Sequence, residues 1–242
     1  MMESISKIIG WMPALIQSTG VTLALSVTSV AAALVFAVFL ALGKISRNAL
    51  ISKLSGAYIF FFRGTPLLMQ LFFIYYTLPQ LIPALNIQSR FFAAWLAFML
   101  NVAAYLAEII RAAIQSIDKG QMEASRALGL TRSQAMRLVI IPQAYRRMIP
   151  PICNEFVMVL KDTSLVSIIA LTDLTYQTKI IASNKASALV YIPAMLIYLV
   201  ITGVFTFASC SAMCRSPAPI KVVGSTSQRI TSTSFNVRSA TI

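Results

Sequence analysis

Chemistry in this chain has to come from very few residues. Among its 7 acidic side chains, Glu155 and Asp162 stand seven apart with Lys161 beside the second, and Glu108 lies three before Arg111. An acid pair is the only catalytic arrangement on offer. The absence of histidine removes an HExxH zinc site and any Ser-His or Cys-His nucleophile pair. Cys153, Cys210 and Cys214 do not cluster as tetrahedral metal ligands, and no GxxxxGK(S/T) stretch offers a phosphate cradle for ATP. The expectation is no catalytic residue, no metal site and no cofactor held by this chain.

What these charges do instead depends on their surroundings. Ile8 to Gly43, Gly64 to Ser89, Phe91 to Ala107 and Ala186 to Cys214 carry no charged residue. A helix crosses the hydrocarbon layer in roughly 20 residues at about 1.5 Å each. The long stretches are therefore ample, and the 17-residue one just suffices. With 58% hydrophobic residues, an integral membrane protein with its spans packed as one domain is expected, since buried helices of soluble proteins rarely run so far without charge. Charges inside spans are costly and face a protein interior or a watery cavity. Glu108, Glu155, Lys161 and Asp162 therefore line a polar path or pair to lock helices. Lys161 and Asp162 are adjacent and diverge by about 100° on a helix, which favours pairing or gating over contact with one ligand. Asn101 and Asn154 contribute to such a path or, as is commoner, bond between helices.

The excess of 20 basic over 7 acidic residues is not a nucleic-acid footprint. Lys44, Arg47 and Lys53 follow the first apolar stretch, and Arg111, Lys119, Arg126, Arg132, Arg137, Arg146 and Arg147 lie in or beside a central polar insert. The loop from Pro79 to Arg90 holds one basic residue. By the positive-inside rule the insert is cytoplasmic and the N-terminus outside. Glu3 offsets Lys7 and the apolar run exceeds a signal-peptide core of roughly 7 to 15 residues, so the first span reads as uncleaved. The cysteines lack CxxC spacing and suggest no disulfide framework.

After a segment 1–13, the first span falls within Ala14 to Leu42, with Ser and Thr hydroxyls able to bond to the preceding turn. Ile51 to Phe62 reads as an interfacial or entering segment. Arg63-Gly64-Thr65-Pro66 interrupts it, and the second span continues to about Thr77. The third, about Phe91 to Ala112, holds Asn101 and the Glu108–Arg111 pair. In the insert, about 113–149, Asp118 caps one short helix, with Gln121 in the capping-box position and Gly129 as its left-handed end. Thr131 caps another with Gln134, and Pro142 limits it. Pro150 to Leu171 makes a charged fourth span, Tyr176 to Ser187 an outer connection, and Tyr191 to Cys210 the fifth, closing a membrane domain over 14–212 with a cytoplasmic C-terminus. The tail, 213–242, is rich in Ser and Thr and is expected to be disordered.

Glu123-Ala124-Ser125-Arg126-Ala127-Leu128-Gly129, with Ile141-Pro142-Gln143-Ala144 after it, resembles the EAA loop of permease subunits of binding-protein-dependent ABC importers. Phe62-Arg63-Gly64-Thr65-Pro66-Leu67, Ala104-Tyr105-Leu106-Ala107-Glu108-Ile109-Ile110-Arg111 and Lys161-Asp162-Thr163-Ser164-Leu165 narrow the resemblance to the polar amino acid family of histidine, glutamine, arginine and opine permeases. Two departures stand out: Ser125 replaces the usual third-position alanine, and the tail is long. The resemblance implies an all-α, type I importer-like membrane fold of about five spans in the bacterial inner membrane, without catalysis of its own. It implies that Gly120, Glu123, Ala124, Ser125 and Gly129 belong to a coupling helix seated on a cytoplasmic ATPase dimer that uses ATP and magnesium. A second permease subunit, identical or related, and an extracytoplasmic solute-binding protein delivering a polar amino acid complete the implied assembly. The competing readings are an ATP-independent channel or secondary carrier and, for the insert, a helix resting on headgroups.

In a variant freed of its native cysteines, a cysteine at Gln88 is expected to react with an impermeant thiol reagent added outside, and one at Ser133 only after permeabilisation. The reverse pattern overturns the orientation.

Overall fold

In lipid the backbone has no water to bond to, so long apolar stretches must be helical. The computed structural model describes residues 2–83 and 87–214, whose regular elements are all helices. From Arg215 onward the Ser/Thr-rich tail lies outside the described residues.

Helix α1 (Met2–Ile45) is longer than the expected first span. Ser18, Thr19, Ser26 and Ser29 each donate a hydroxyl to the carbonyl four residues back, at 2.6 to 2.9 Å, so these polar groups are satisfied inside an apolar helix. It packs chiefly on α5 (Arg90–Gln115), which Ser89 caps through the Phe92 amide. Ala33, Ala37 and Ala41 of α1 and Ala93, Ala97, Ala103 and Ala107 of α5 are fully buried in one core. Small residues repeated on one face let helix backbones approach where lipid offers no hydrophobic drive to associate.

Between them, α2 (Ala49–Gly64) begins at an Asn48 cap and crosses α1 closely. A Cβ on Gly43 would stand 2.4 Å from the Ser55 hydroxyl, so any side chain at this crossing would have to displace that group. The chain then turns by 102° into α3 (Leu67–Phe72), which runs on through a π-helical turn, Phe73–Thr77, to α4 (Leu78–Leu81). The break at Gly64–Pro66 frees carbonyls that two amides recover. Gln70 Nε2 donates to the Phe62 and Thr65 carbonyls at 3.0 and 3.1 Å and to the Thr65 hydroxyl at 2.7 Å. Asn101 Nδ2 donates to the same Phe62 carbonyl at 3.1 Å and to Gln70 Oε1 at 3.0 Å.

The insert holds α6 (Lys119–Ala127) and α7 (Arg132–Ala135), the latter with the expected Thr131–Gln134 capping box. Pro142 does not end the helix as its sequence position suggested. A π-helical turn, Met136–Ile140, carries α7 into α8 (Ile141–Asp162) without a break. The Ile141 amide reaches back five residues to the Met136 carbonyl, as Leu78 does to Phe73 just before Pro79. The extra residue in each turn relieves the clash and the missing donor that proline would impose on a regular helix. A 3-10 segment, Thr163–Ile169, follows and closes at Ala170 with φ 57°.

The expected outer connection is itself helical: α9 (Leu174–Asn184) is capped by the fully buried Asp173 and packs on α1. The Leu174 amide donates to the Thr22 hydroxyl at 3.2 Å. Last, α10 (Tyr191–Cys214) leans on α8 and leaves Met195, Leu199, Val204 and Phe207 exposed, as a lipid-facing helix does. Ser6–Ile45, Arg90–Gln115 and Ala188–Ser209 are long and apolar enough to cross a membrane, and the bent α2–α4 run raises the number to four. The expected fourth span, α8, is outside that count because of its charges, although it packs against both α5 and α10.

Gln70→Leu is expected to orphan the Thr65 carbonyl and lower the stability of the detergent-purified protein by about 1 to 3 kcal/mol, read as a lower melting midpoint. An unchanged midpoint removes the amide bridge from the support of the bend.

Candidate functional site

The bend at Gly64–Pro66 opens a gap between α2, α5 and α8. A cavity of about 390 Å³ occupies it, with Asn101 and Tyr105 of α5 facing Glu155 and Asp162 of α8. Spacing by seven returns to one helix face, and both carboxylates reach the cavity. Lys161 and Asn154 do not line it. Asn154 lies near the Met158 sulfur at 4.0 Å. Among the described residues neither Lys161 nor Asp162 forms a salt bridge. Asn101 is both a cavity wall and, through Phe62 and Gln70, an interhelical bond.

A second cavity of about 480 Å³ adjoins the first, sharing Arg63, Gly64 and Tyr105 with it and bounded beyond them by Lys44, Glu108 and Arg111. Glu108 and Arg111 pair as their spacing predicts: Arg111 Nε donates to Oε2 at 2.9 Å, and Nη2 donates to Oε1. Between the cavities the Arg63 guanidinium lies 5.3 Å from the centre of the Tyr105 ring, a cation–π contact. Arg63, Tyr105 and Gln70 were not singled out from sequence. The Gly-Thr-Pro break beside Arg63 was the available signal.

In the insert, α6 turns Gln121 and Ser125 inward and leaves Glu123, Arg126 and Ala127 exposed. Ser125 is fully buried and donates to the Gln121 carbonyl at 2.6 Å, so the hydroxyl added at the family's alanine position is satisfied locally. Gly120 gives its amide to the Asp118 cap at 2.8 Å, and Ala124 is half-buried. Gly129 has φ 84°, with its amide on the Arg126 carbonyl and the Leu130 amide on the Ser125 carbonyl, which is a Schellman ending. Helix α8 holds this unit from below: Gln143 donates to Gln121 at 3.3 Å, and Arg147 donates to the Ser116 hydroxyl at 2.9 Å.

Comparison with known proteins agrees with this arrangement. The family described as binding-protein-dependent transport system inner membrane component matches residues 9–209. The glutamine transport system permease protein GlnP of Escherichia coli is 39% identical over 196 residues, covering 81% of this chain and 89% of that protein. The probable amino-acid permease protein YxeN of Bacillus subtilis is 40% identical, covering 80% and 87%. A solved amino acid ABC transporter with histidines superposes with a TM-score of 0.82 at 40% identity, covering 86% of this chain and 97% of that one. The methionine transporter MetNI, at 20% identity and a TM-score of 0.73, shares the fold. An ATP-independent carrier is excluded by this membership, and hydrolysis lies with an ATPase partner. The chain belongs to the inner membrane components of binding-protein-dependent transport systems, as a non-catalytic, multi-pass permease subunit of the polar amino acid ABC importers.

Proposed function

We propose that this permease moves an amino acid, or an opine-like derivative, bearing a cationic group, and that the Glu155–Asp162 cavity is where the solute pauses. The observation that carries this reading is two carboxylates without salt-bridge partners facing one cavity of about 390 Å³ beside Asn101. That volume sits at the small end of ligand pockets, suited to a free amino acid rather than a peptide. Two carboxylates set against the single guanidinium of Arg63 in a low-dielectric site favour a cation over a neutral solute. Relatives at 38% identity include an arginine permease of Bacillus subtilis and a nopaline permease of Agrobacterium fabrum, which accords with that chemistry.

Helix α6 is proposed as the coupling element. Its exposed face carries Glu123 and Arg126, whereas a helix resting on headgroups turns its apolar face toward lipid. The surface offered to the ATPase dimer is then Glu123, Arg126, Ala127 and Leu128, with Ala124 at its edge, while Gly120, Ser125 and Gly129 shape the helix. A second permease, identical or related, completes the pathway, and an extracytoplasmic binding protein delivers the solute. The basic insert supports a cytoplasmic α6, with the N-terminus outside and the C-terminus inside. ATP-driven closure of the ATPases draws the coupling helices together and opens the path outward, and hydrolysis resets it.

Two measurements test this reading. Gly129→Val meets open space, so its cost is conformational, about 1 to 2 kcal/mol at the helix end. ATPase co-purification should fall while membrane insertion persists, and Gly129→Asn should retain more of it. Undiminished co-purification with Gly129→Val rejects α6 as the docking helix. Glu155→Gln and Asp162→Asn should assemble normally yet weaken uptake of arginine by on the order of tenfold relative to glutamine. Equal loss for both solutes, or poor assembly alone, returns these carboxylates to a structural role.

A further inference from the structure

Arg63 occupies a position that transport alone does not explain. It sits at the last turn of α2, where the helix ends one residue later, and its guanidinium rests on Tyr105 rather than on any carboxylate. Among the described residues it forms no salt bridge. Yet its charge acts on Glu155 on one side and on Glu108 on the other. Arg63, Gly64 and Tyr105 form the wall common to the two cavities, one acidic through Glu155 and Asp162, the other basic on balance, with Lys44 and Arg111 beside Glu108. A resident cation thus stands where the acidic cavity meets a basic one.

We propose that Arg63 is the charge gate of the translocation path: stacked on Tyr105 it closes the wall between the two cavities, neutralises the Glu155 and Asp162 carboxylates when the cavity is empty, and is displaced from them by the cationic end of an arriving solute. The inference rests on the cationic-solute reading of the Glu155–Asp162 cavity. Its physical basis is competition. An arginine in the pocket and the Arg63 guanidinium seek the same two carboxylates, and two like charges in a poorly screened site repel. Stacking on an aromatic face costs little to leave compared with a bidentate ion pair, so Arg63 is held firmly enough to close the wall and loosely enough to yield. The short Gly64 beside it leaves room for the movement, since a Cβ there would meet nothing within 4 Å.

Competition makes an unusual demand: removing a wall residue of the binding cavity tightens binding. Equilibrium binding of radiolabelled arginine and of glutamine is measured on the detergent-purified permease–ATPase complex, using only variants that co-purify at wild-type yield. Arg63→Gln should tighten arginine by on the order of tenfold and leave glutamine unchanged, while Arg63→Lys, which keeps the charge and can still rest on the Tyr105 face as a cation–π contact, stays near wild type. Tyr105→Leu frees the guanidinium from its seat and should weaken arginine, because Arg63 then settles on the carboxylates. If Glu155→Gln weakens arginine but Arg63→Gln leaves it unchanged or weaker, the gate is overturned and the carboxylate site stands. If Glu155→Gln has no effect on arginine, the site reading falls and the gate with it. Should Arg63→Gln fail to assemble, an Arg63→Lys complex with arginine affinity raised as far as the neutral variant was expected to show also rejects the gate, because the charge is still present.

Discussion

Broken helices within lipid must return every freed backbone group to a protein partner, and the rest of this structure follows from how that is done at Gly64–Pro66. Two side-chain amides do the work. Gln70 and Asn101 converge on the Phe62 carbonyl, and Gln70 also takes both acceptors of Thr65. A 102° bend is thereby fixed between a helix that follows α1 and one that follows α5. Gly64, Thr65, Pro66 and Leu67 of the bend line the first cavity, and Gly64 lines the second as well. Asn101 is at once a wall of the first cavity and a hydrogen-bond donor to the bend.

Proline is managed by a different device. At Pro79 and Pro142 the preceding turn widens by one residue, so the chain keeps its helical direction. At Pro66 no such turn precedes it, and the helix ends. For these three prolines the turn before decides between continuation and a corner, whereas Pro13, Pro150 and Pro151 stand inside helices with no widened turn before them. Thus α7 and α8 run as one element from the insert into the membrane domain, with Pro150 and Pro151 inside it.

Local rules were legible in the sequence and long-range geometry was not. The Glu108–Arg111 pair, the left-handed Gly129, the Thr131–Gln134 box and the serine hydroxyls of α1 all depend on neighbours within one turn, and each has the form its spacing predicted. Pro142 misled because a π-helical turn leaves no mark in composition. The helical α9 was missed because its cap, Asp173, gains its burial from α1, over a hundred residues earlier. Glu155 and Asp162 were recognised as misplaced charges, but their shared cavity depends on the bend angle, which the Gly-Thr-Pro break announces without specifying. Arg63 and Tyr105 meet through the packing of α2 on α5, a contact between residues 42 apart that no local rule announces.

The uninterrupted run from α7 through α8 has a mechanical meaning. It begins beside the insert and ends at Asp162, with Gln143 and Arg147 bolting its near half to the insert through Gln121 and Ser116. A helix is stiff along its axis, and some 20 residues of it measure about 30 Å. A tilt of about 5° at the near end sweeps the far end sideways by roughly 2.5 Å over that length. Such a stroke is enough to make or break a hydrogen bond to a carboxylate. The insert and the acidic cavity therefore stand at two ends of one beam, with the paired prolines as its most compliant joint.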